Sequence, residues 1–307
     1  MTRELVIHPN QPVDFHLFGA VEMRCGERSI DLGGIRDQCL VAALLLANGR
    51  PVPREQLPDW IWDHAPETAP NELERLMARL RSRLASVGLG DALVARNGRC
   101  RLDVPADRVD VHQFAALVDA ARSGDRQRTS ELLRAALDLS AGEPMAGLNS
   151  ARIISSRVRL VEERRRVELM FAKVEMELGH TTEQVPNLIQ LFTEHPDSSD
   201  VAMVTMSALH RTNRRKEALA VFDEHHRRLE EAGLTMPKQV RDLQTHILND
   251  DEGPRLANEE YGPTDDEAPG RAKHIAVQQN ADTINYFADR VDATGAHFGP
   301  RYDRGSE

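Results

Sequence analysis

Thr68–Val87, TAPNELERLMARLRSRLASV, repeats its apolar residues at three- and four-residue steps: Leu73, Leu76, Met77, Leu80, Leu84 and Val87. That spacing predicts a helix with one buried face. At roughly 100° per residue these side chains fall within about 50° of one line along the helix. Thr68, Asn71, Arg75, Arg79 and Ser82 fall on the opposite side, with Arg81 and Arg83 flanking them. The outward face carries guanidinium, amide and hydroxyl groups, the donors that read base edges and grip phosphates. A solvated helix with surface arginines has the same pattern, so the neighbouring sequence has to separate the two.

Downstream, Gly88 and Gly90 precede Leu93–Val104, LVARNGRCRLDV. Asn97-Gly98 is a two-residue hairpin signal between two strand-like runs. Arg96 and Arg99 flank that turn, and Arg101 lies two residues further on. Upstream, Thr68 is placed to cap the helix and Pro70 suits its first turn. Ile35–Ala47, IRDQCLVAALLLA, reads as a buried helix, ended by Asn48-Gly49, which both tolerate the left-handed cap conformation. Pro53–Trp62 reads as a second, short helix limited by Pro58, with Trp60 and Trp62 locking it to the core. Val13–Leu32 alternates apolar and polar residues around Phe15, Leu17, Val21 and Met23, turns at Gly26, and predicts a small antiparallel sheet. Sheet, three helices and a basic hairpin make a winged helix. Its third helix enters the major groove, and its hairpin reaches the adjacent backbone or minor groove.

Charge is distributed in keeping with that reading. The 307-residue chain carries a formal net charge of −10, the wrong sign for a protein that coats nucleic acid indiscriminately. Between Arg75 and Arg101, however, seven arginines face a single acid, Asp91. Positive charge is thus concentrated in one segment, as a footprint on DNA requires. Hydrophobic residues at 40% and charged residues at 29% describe a globular chain with room for two domains, and aromatics at 4% argue against a stacking surface for single strands. Cys25, Cys39 and Cys100 form no CxxC pair, so neither a zinc ribbon nor a disulfide framework is expected. The first residues hold no long apolar core, and the longest apolar run, Cys39–Ala47, is too short to span a bilayer. These features predict a cytoplasmic protein that does not engage membranes.

From Val109 to Asn249 helical periodicity is continuous, with Ala141–Ser150 as a loop and Ser155–Leu178 as a long helix. At an offset of about 34 residues, the tetratricopeptide period, Gly179 aligns with Asn213, Glu183 with Glu217, Val185 with Leu219 and Leu188 with Phe222. Either a stacked helical repeat or an ordinary bundle accommodates this pattern. Gly253–Glu307 is acidic and rich in glycine and proline, the composition of a disordered tail, with Asn280–Phe298 a candidate short docking segment.

In order and spacing, FHLFGAVEMRCGERSIDLGG, LVAALLLANGR, TAPNELERLMARLRSRL and NGRCRLDVPADRVDVHQF resemble the OmpR/PhoB-type winged helix, more closely the version in the Streptomyces antibiotic regulatory proteins. VDVHQFAALVDAARS and AGEPMAGL resemble the start of the bacterial transcriptional activator domain that follows it in that family. The resemblance runs from about Phe15 to Leu248 and favours the repeat reading. It also shows departures. Ile35-Arg36-Asp37-Gln38 stands where a proline-lysine-glutamine-arginine run is usual, and Pro70, Glu74 and Arg75 replace common residues of the third helix. The fold class expected is mainly α with a small β component: a winged helix at 13–107, a tetratricopeptide-like all-α domain at 108–250 and a tail at 251–307.

Catalytic chemistry finds no support. There is no HExxH, GxSxG or phosphate loop ending in GK[ST], and the adjacent His225-His226 diverge by about 100° on a helix. No catalytic residues, metal site or cofactor are expected, and the chain is not read as an enzyme. The resemblance implies a transcriptional regulator, most naturally an activator of biosynthetic genes. It would bind double-stranded DNA at promoter direct repeats, with copies side by side and a homodimer on DNA in prospect. It would recruit RNA polymerase holoenzyme by contact. Candidate DNA-binding residues are Thr68, Asn71, Arg75, Arg79, Arg81, Ser82 and Arg83 on the helix, with Arg96 and Arg99 on the wing. The alternative is a helical-repeat scaffold whose winged helix binds protein.

Overall fold

The computed structural model describes residues 12–249. The acidic tail and the candidate docking segment Asn280–Phe298 lie outside the described residues.

The described residues open with an antiparallel meander, β1 (Val13–His16), β2 (Glu22–Cys25) and β3 (Arg28–Ile30), in the order β1-β2-β3. Phe15 pairs with Met23, and both are buried, so one face of the sheet feeds the core. Helix α1 (Ile35–Leu46) is buried without a break from Cys39 to Leu45, as its sequence requires, and Asn48 and Gly49 both take positive φ at its end.

The expected helix at Pro53–Trp62 is largely replaced. Val52–Pro53 forms a short strand, β4, Arg54–Gln56 a single 3₁₀ turn, and only Pro58–Ile61 a helix, α2. Pro58 begins that helix rather than limiting it, because its missing N–H is lost least at a first position. Upstream, the Arg54 amide donates to the Gly98 carbonyl at 2.8 Å, which draws this segment into a sheet. Trp62 is buried and Trp60 half-buried against the core.

Helix α3 (Ala69–Ala85) buries Leu73, Leu76, Met77, Leu80 and Leu84, the stripe read from the sequence, while Val87 lies just beyond its end, half-buried. Strands β5 (Leu93–Arg96) and β6 (Arg99–Leu102) form the wing, and β4 completes a sheet in the order β4-β6-β5. Asn97 and Gly98 take φ of 51° and 68°, the left-handed pair that a tight hairpin turn requires.

The rest of the described residues is helical: α4 (Asp110–Ala121), α5 (Arg126–Leu139), α6 (Ala151–Glu177), α7 (Thr181–Glu194), α8 (Ser199–Arg211), α9 (Arg215–Glu231) and α10 (Lys238–Asn249). Gly179 and Asn213, aligned by the 34-residue offset, both take positive φ. After each, an amide bonds the carbonyl five residues back: His180 to Glu175 at 2.9 Å and Arg214 to Leu209 at 2.8 Å. The same helix stop therefore recurs, and α7–α8 and α9–α10 follow as tandem pairs.

Among the described residues two hydrophobic cores result. One runs from Val13 to Val167 and joins the winged helix to α4, α5 and the first part of α6. The other runs from Leu169 to Ile247 and holds the tandem pairs. Asp110 is the key joint of the first. Buried to 3% exposure at the start of α4, its carboxylate accepts from the amides of Leu17 (2.9 and 2.8 Å), Phe18 (2.8 Å) and Val111 (2.7 Å). The loop before α6 adds backbone bonds from Met145 to the Leu17 carbonyl (2.7 Å) and from Ala146 to that of Gly19 (2.9 Å). Phe18 meets Phe114 edge-on at 5.4 Å between ring centres.

Candidate nucleic-acid interface

Helix α3 presents Asn71, Arg75, Ala78 and Ser82 in one exposed line opposite its leucines. That is the face the periodicity gives, with a refinement. Arg79 stands on the flank toward α1 and Arg81 on the other. Thr68 is exposed at the start, but its side chain makes no capping bond. The reason is conformational: Thr68 already has helical φ and ψ of −79° and −4°, whereas a side-chain cap needs extended backbone. Its carbonyl accepts the Glu72 amide instead, at 3.0 Å.

The helix is braced on both flanks by charge. Toward α1, Arg36 pairs with Glu72, and Asp37 takes two arginines. Arg79 donates Nε to Asp37 Oδ1 at 2.9 Å and Nη2 to Oδ2 at 3.1 Å, while Arg83 donates Nη1 to Oδ1 at 3.1 Å. Arg83 is 23% exposed and its guanidinium lies over Gly33, in the space a Cβ would fill, and the φ of +89° there favours glycine. Burial works against ionising Asp37, but the hydrogen bonds and charge of Arg79 and Arg83 outweigh it and hold the carboxyl below its usual range. On the other flank Arg54 pairs with Glu74 while its amide holds the Gly98 carbonyl, so one residue ties α3 to the wing turn.

What is left uncommitted defines the cationic surface. Among the described residues, none of Arg75, Arg81, Arg96 and Arg99 meets a carboxylate. All four are exposed. Arg96 and Arg99 pair across the wing tip, where like charges directly opposite one another are destabilising unless an anion intervenes. Arg101 is spoken for by Asp103 at 3.0 Å. Every residue expected on the helix face and the wing tip is exposed except Arg83, which is half-buried, and Asp37 takes up two of them, Arg79 and Arg83, which local periodicity does not show. An acid in the first turn of a helix that is apolar from Cys39 onward was the available signal. Its partners, 42 and 46 residues away, follow from no local rule.

Other chemistry is sparse. Among the described residues no group of three or more His, Cys, Asp or Glu side chains is placed to hold a metal ion. Cys25, Cys39 and Cys100 are buried, and burial, with Asp63 nearby, pushes the Cys39 thiol up to about 11. No helix among the described residues is long and apolar enough to cross a membrane.

A β-meander, three helices and an arginine-tipped wing, continued by tandem helix pairs, define a winged-helix protein with a helical-repeat domain. Residues 109–248 match the bacterial transcriptional activator domain. The chain is 30% identical over 226 residues to the regulatory protein DnrI of Streptomyces peucetius, covering 68% of this chain and 82% of DnrI. It is 32% identical over 251 residues to the regulatory protein AfsR of Streptomyces coelicolor, covering 79% of this chain but only 25% of AfsR. Among solved structures, Mycobacterium tuberculosis EmbR in complex with a low affinity phosphopeptide shares the fold, with a TM-score of 0.72 and 24% identity over 78% of this chain and 65% of that one. The chain belongs to the Streptomyces antibiotic regulatory protein family.

Proposed function

We propose that this protein is a cytoplasmic, sequence-specific DNA-binding activator of a biosynthetic gene cluster. In this reading residues 13–107 bind DNA and 108–250 contact protein. Helix α3 enters the major groove with Asn71, Arg75, Ser82 and Arg81 toward the duplex, and Arg96 and Arg99 grip the flanking backbone or minor groove. Copies sit side by side on promoter direct repeats, as a homodimer on DNA, and recruit RNA polymerase holoenzyme. No cofactor, metal or catalysis is called for. The observation that carries the reading is the pairing of a leucine-anchored helix, its Arg75 and Arg81 outward and uncommitted, with a wing whose tip opposes two arginines. Membership of the family and the matched activator domain support the same conclusion.

A mobility-shift titration with promoter duplex at two salt concentrations tests it. Binding that weakens steeply with salt is expected, because each phosphate neutralised releases counterions. No shift at low salt, with a protein captured through the same face, would instead favour a helical-repeat scaffold whose winged helix binds protein.

A further inference from the structure

The Asp37 carboxylate grips Arg79 by one particular edge. Arg79 donates Nε and Nη2, the side edge of the guanidinium, at 2.9 and 3.1 Å. Its terminal fork, Nη1 with the second hydrogen of Nη2, makes no hydrogen bond among the described residues, on a side chain that is 48% exposed and has the Arg36-paired Glu72 as its other neighbouring acid. Asp37 itself is only 7% exposed, and its Oδ1, which accepts Arg79 Nε, also accepts Arg83 Nη1. The cluster of one carboxylate and two guanidinium groups keeps a net positive charge, so Arg79 stays attractive to a nucleic acid while losing its rotational freedom. A terminal guanidinium fork is what matches the O6 and N7 acceptors of guanine in the major groove. A reader held in one rotamer gives up less entropy on binding and tolerates less misplacement.

We propose that Asp37, on α1, is a positioning residue for base recognition, holding Arg79 of α3 so that its free fork reads a guanine. This rests on the DNA-binding reading above and adds to it the base read, the side chain that reads it and the residue that aims it. Arg79 is thereby assigned to base readout, and Arg75, Arg81 and the wing arginines, which have no such buttress, to contacts of looser geometry. Arg83, only 23% exposed and covering Gly33, serves the clamp rather than the duplex.

The test uses the full chain, as wild type, Asp37→Ala, Asp37→Asn, Arg79→Ala and the Asp37→Ala/Arg79→Ala double variant. Each selects bound sites from a pool of duplexes with a random central segment, and the wild-type site is then titrated with every base pair replaced in turn. Wild type is expected to show a guanine whose replacement weakens binding about tenfold or more. Arg79→Ala abolishes the preference at that one position. Asp37→Ala abolishes most of it too, while affinity for an unrelated duplex stays level or rises, because a negative charge has been removed. The double variant is no worse than Arg79→Ala alone. Asp37→Asn keeps the shape of the side chain, so it reports on the charge clamp even should Asp37→Ala fold poorly. A purely structural role would lower affinity for all sequences in parallel with the melting temperature and leave the guanine preference intact, and that result overturns the proposal. Sites enriched by wild type without any guanine under the control of Arg79 overturn it as well, leaving DNA binding standing. Failure of wild type to enrich any duplex removes DNA binding, and this inference with it.

Discussion

Asp37 shows what single residues contribute here and why some could not be read in advance. Arg75, Arg79 and Arg83 were legible as members of one helix face, because an angle of about 100° per residue needs no tertiary information. Their division into uncommitted and clamped arginines depends on an acid on another helix, and nothing local reveals it. The clamp has a measurable signature. Although burial opposes the charge, Arg79 and Arg83 hold the Asp37 pKa below its ordinary value, so the unfolded chain takes up this proton at a higher pH than the folded one. Asp37 therefore contributes stability above about pH 4, and that contribution fades as pH falls through the lowered folded value. Urea unfolding of wild type and Asp37→Asn at about pH 7 and about pH 3 checks the sign. The advantage of wild type should shrink in acid. A gap that stays constant would mean that the carboxylate is not held by charge.

At the scale of elements, agreement between pattern and structure is closest where one period dominates. Helix α3 keeps the five buried residues that its spacing assigns to the core interior, Leu73, Leu76, Met77, Leu80 and Leu84. Asn97-Gly98 turns as the sequence requires, because two successive positive φ angles suit few other pairs. Strand β4 escaped notice for a physical reason: two residues, one a proline, carry no periodicity, and their place in the sheet comes from a partner strand 46 to 48 residues away. The leucine face of α3 also fixes how firmly the outward arginines are held. Leu80 is 2% exposed, and Leu80→Ala should cost about 2–5 kcal/mol of stability by cavity formation. Denaturant unfolding measures this directly. A loss below about 1 kcal/mol would show that α3 is not anchored as described.

Taken whole, the molecule divides its apolar core within α6 rather than at the junction near residue 108. Sequence patterning marks changes of element type, here from hairpin to helices. It does not show that Asp110 bonds the amides of Leu17 and Phe18 across 93 and 92 residues. A fragment ending at Asp107 would leave those amides and Phe18 without their partners. Buried donors left unpaired cost about 1–3 kcal/mol each. Such a fragment should melt well below the full chain, as followed by circular dichroism, and expose apolar surface to a hydrophobic dye. Equal melting temperatures would show that the winged helix needs nothing from α4–α6.

In the proposed function Arg75 and Arg81, the uncommitted arginines of α3, meet a duplex. Fluorescence-anisotropy titration of the full chain and its Arg75→Ala/Arg81→Ala variant against labelled promoter duplex measures it most directly. At least a tenfold loss of affinity is expected, uniform across sequences and with a salt slope shallower by about one unit per phosphate contact removed, with an unchanged helical circular dichroism spectrum. Equal affinity in the two proteins would contradict it.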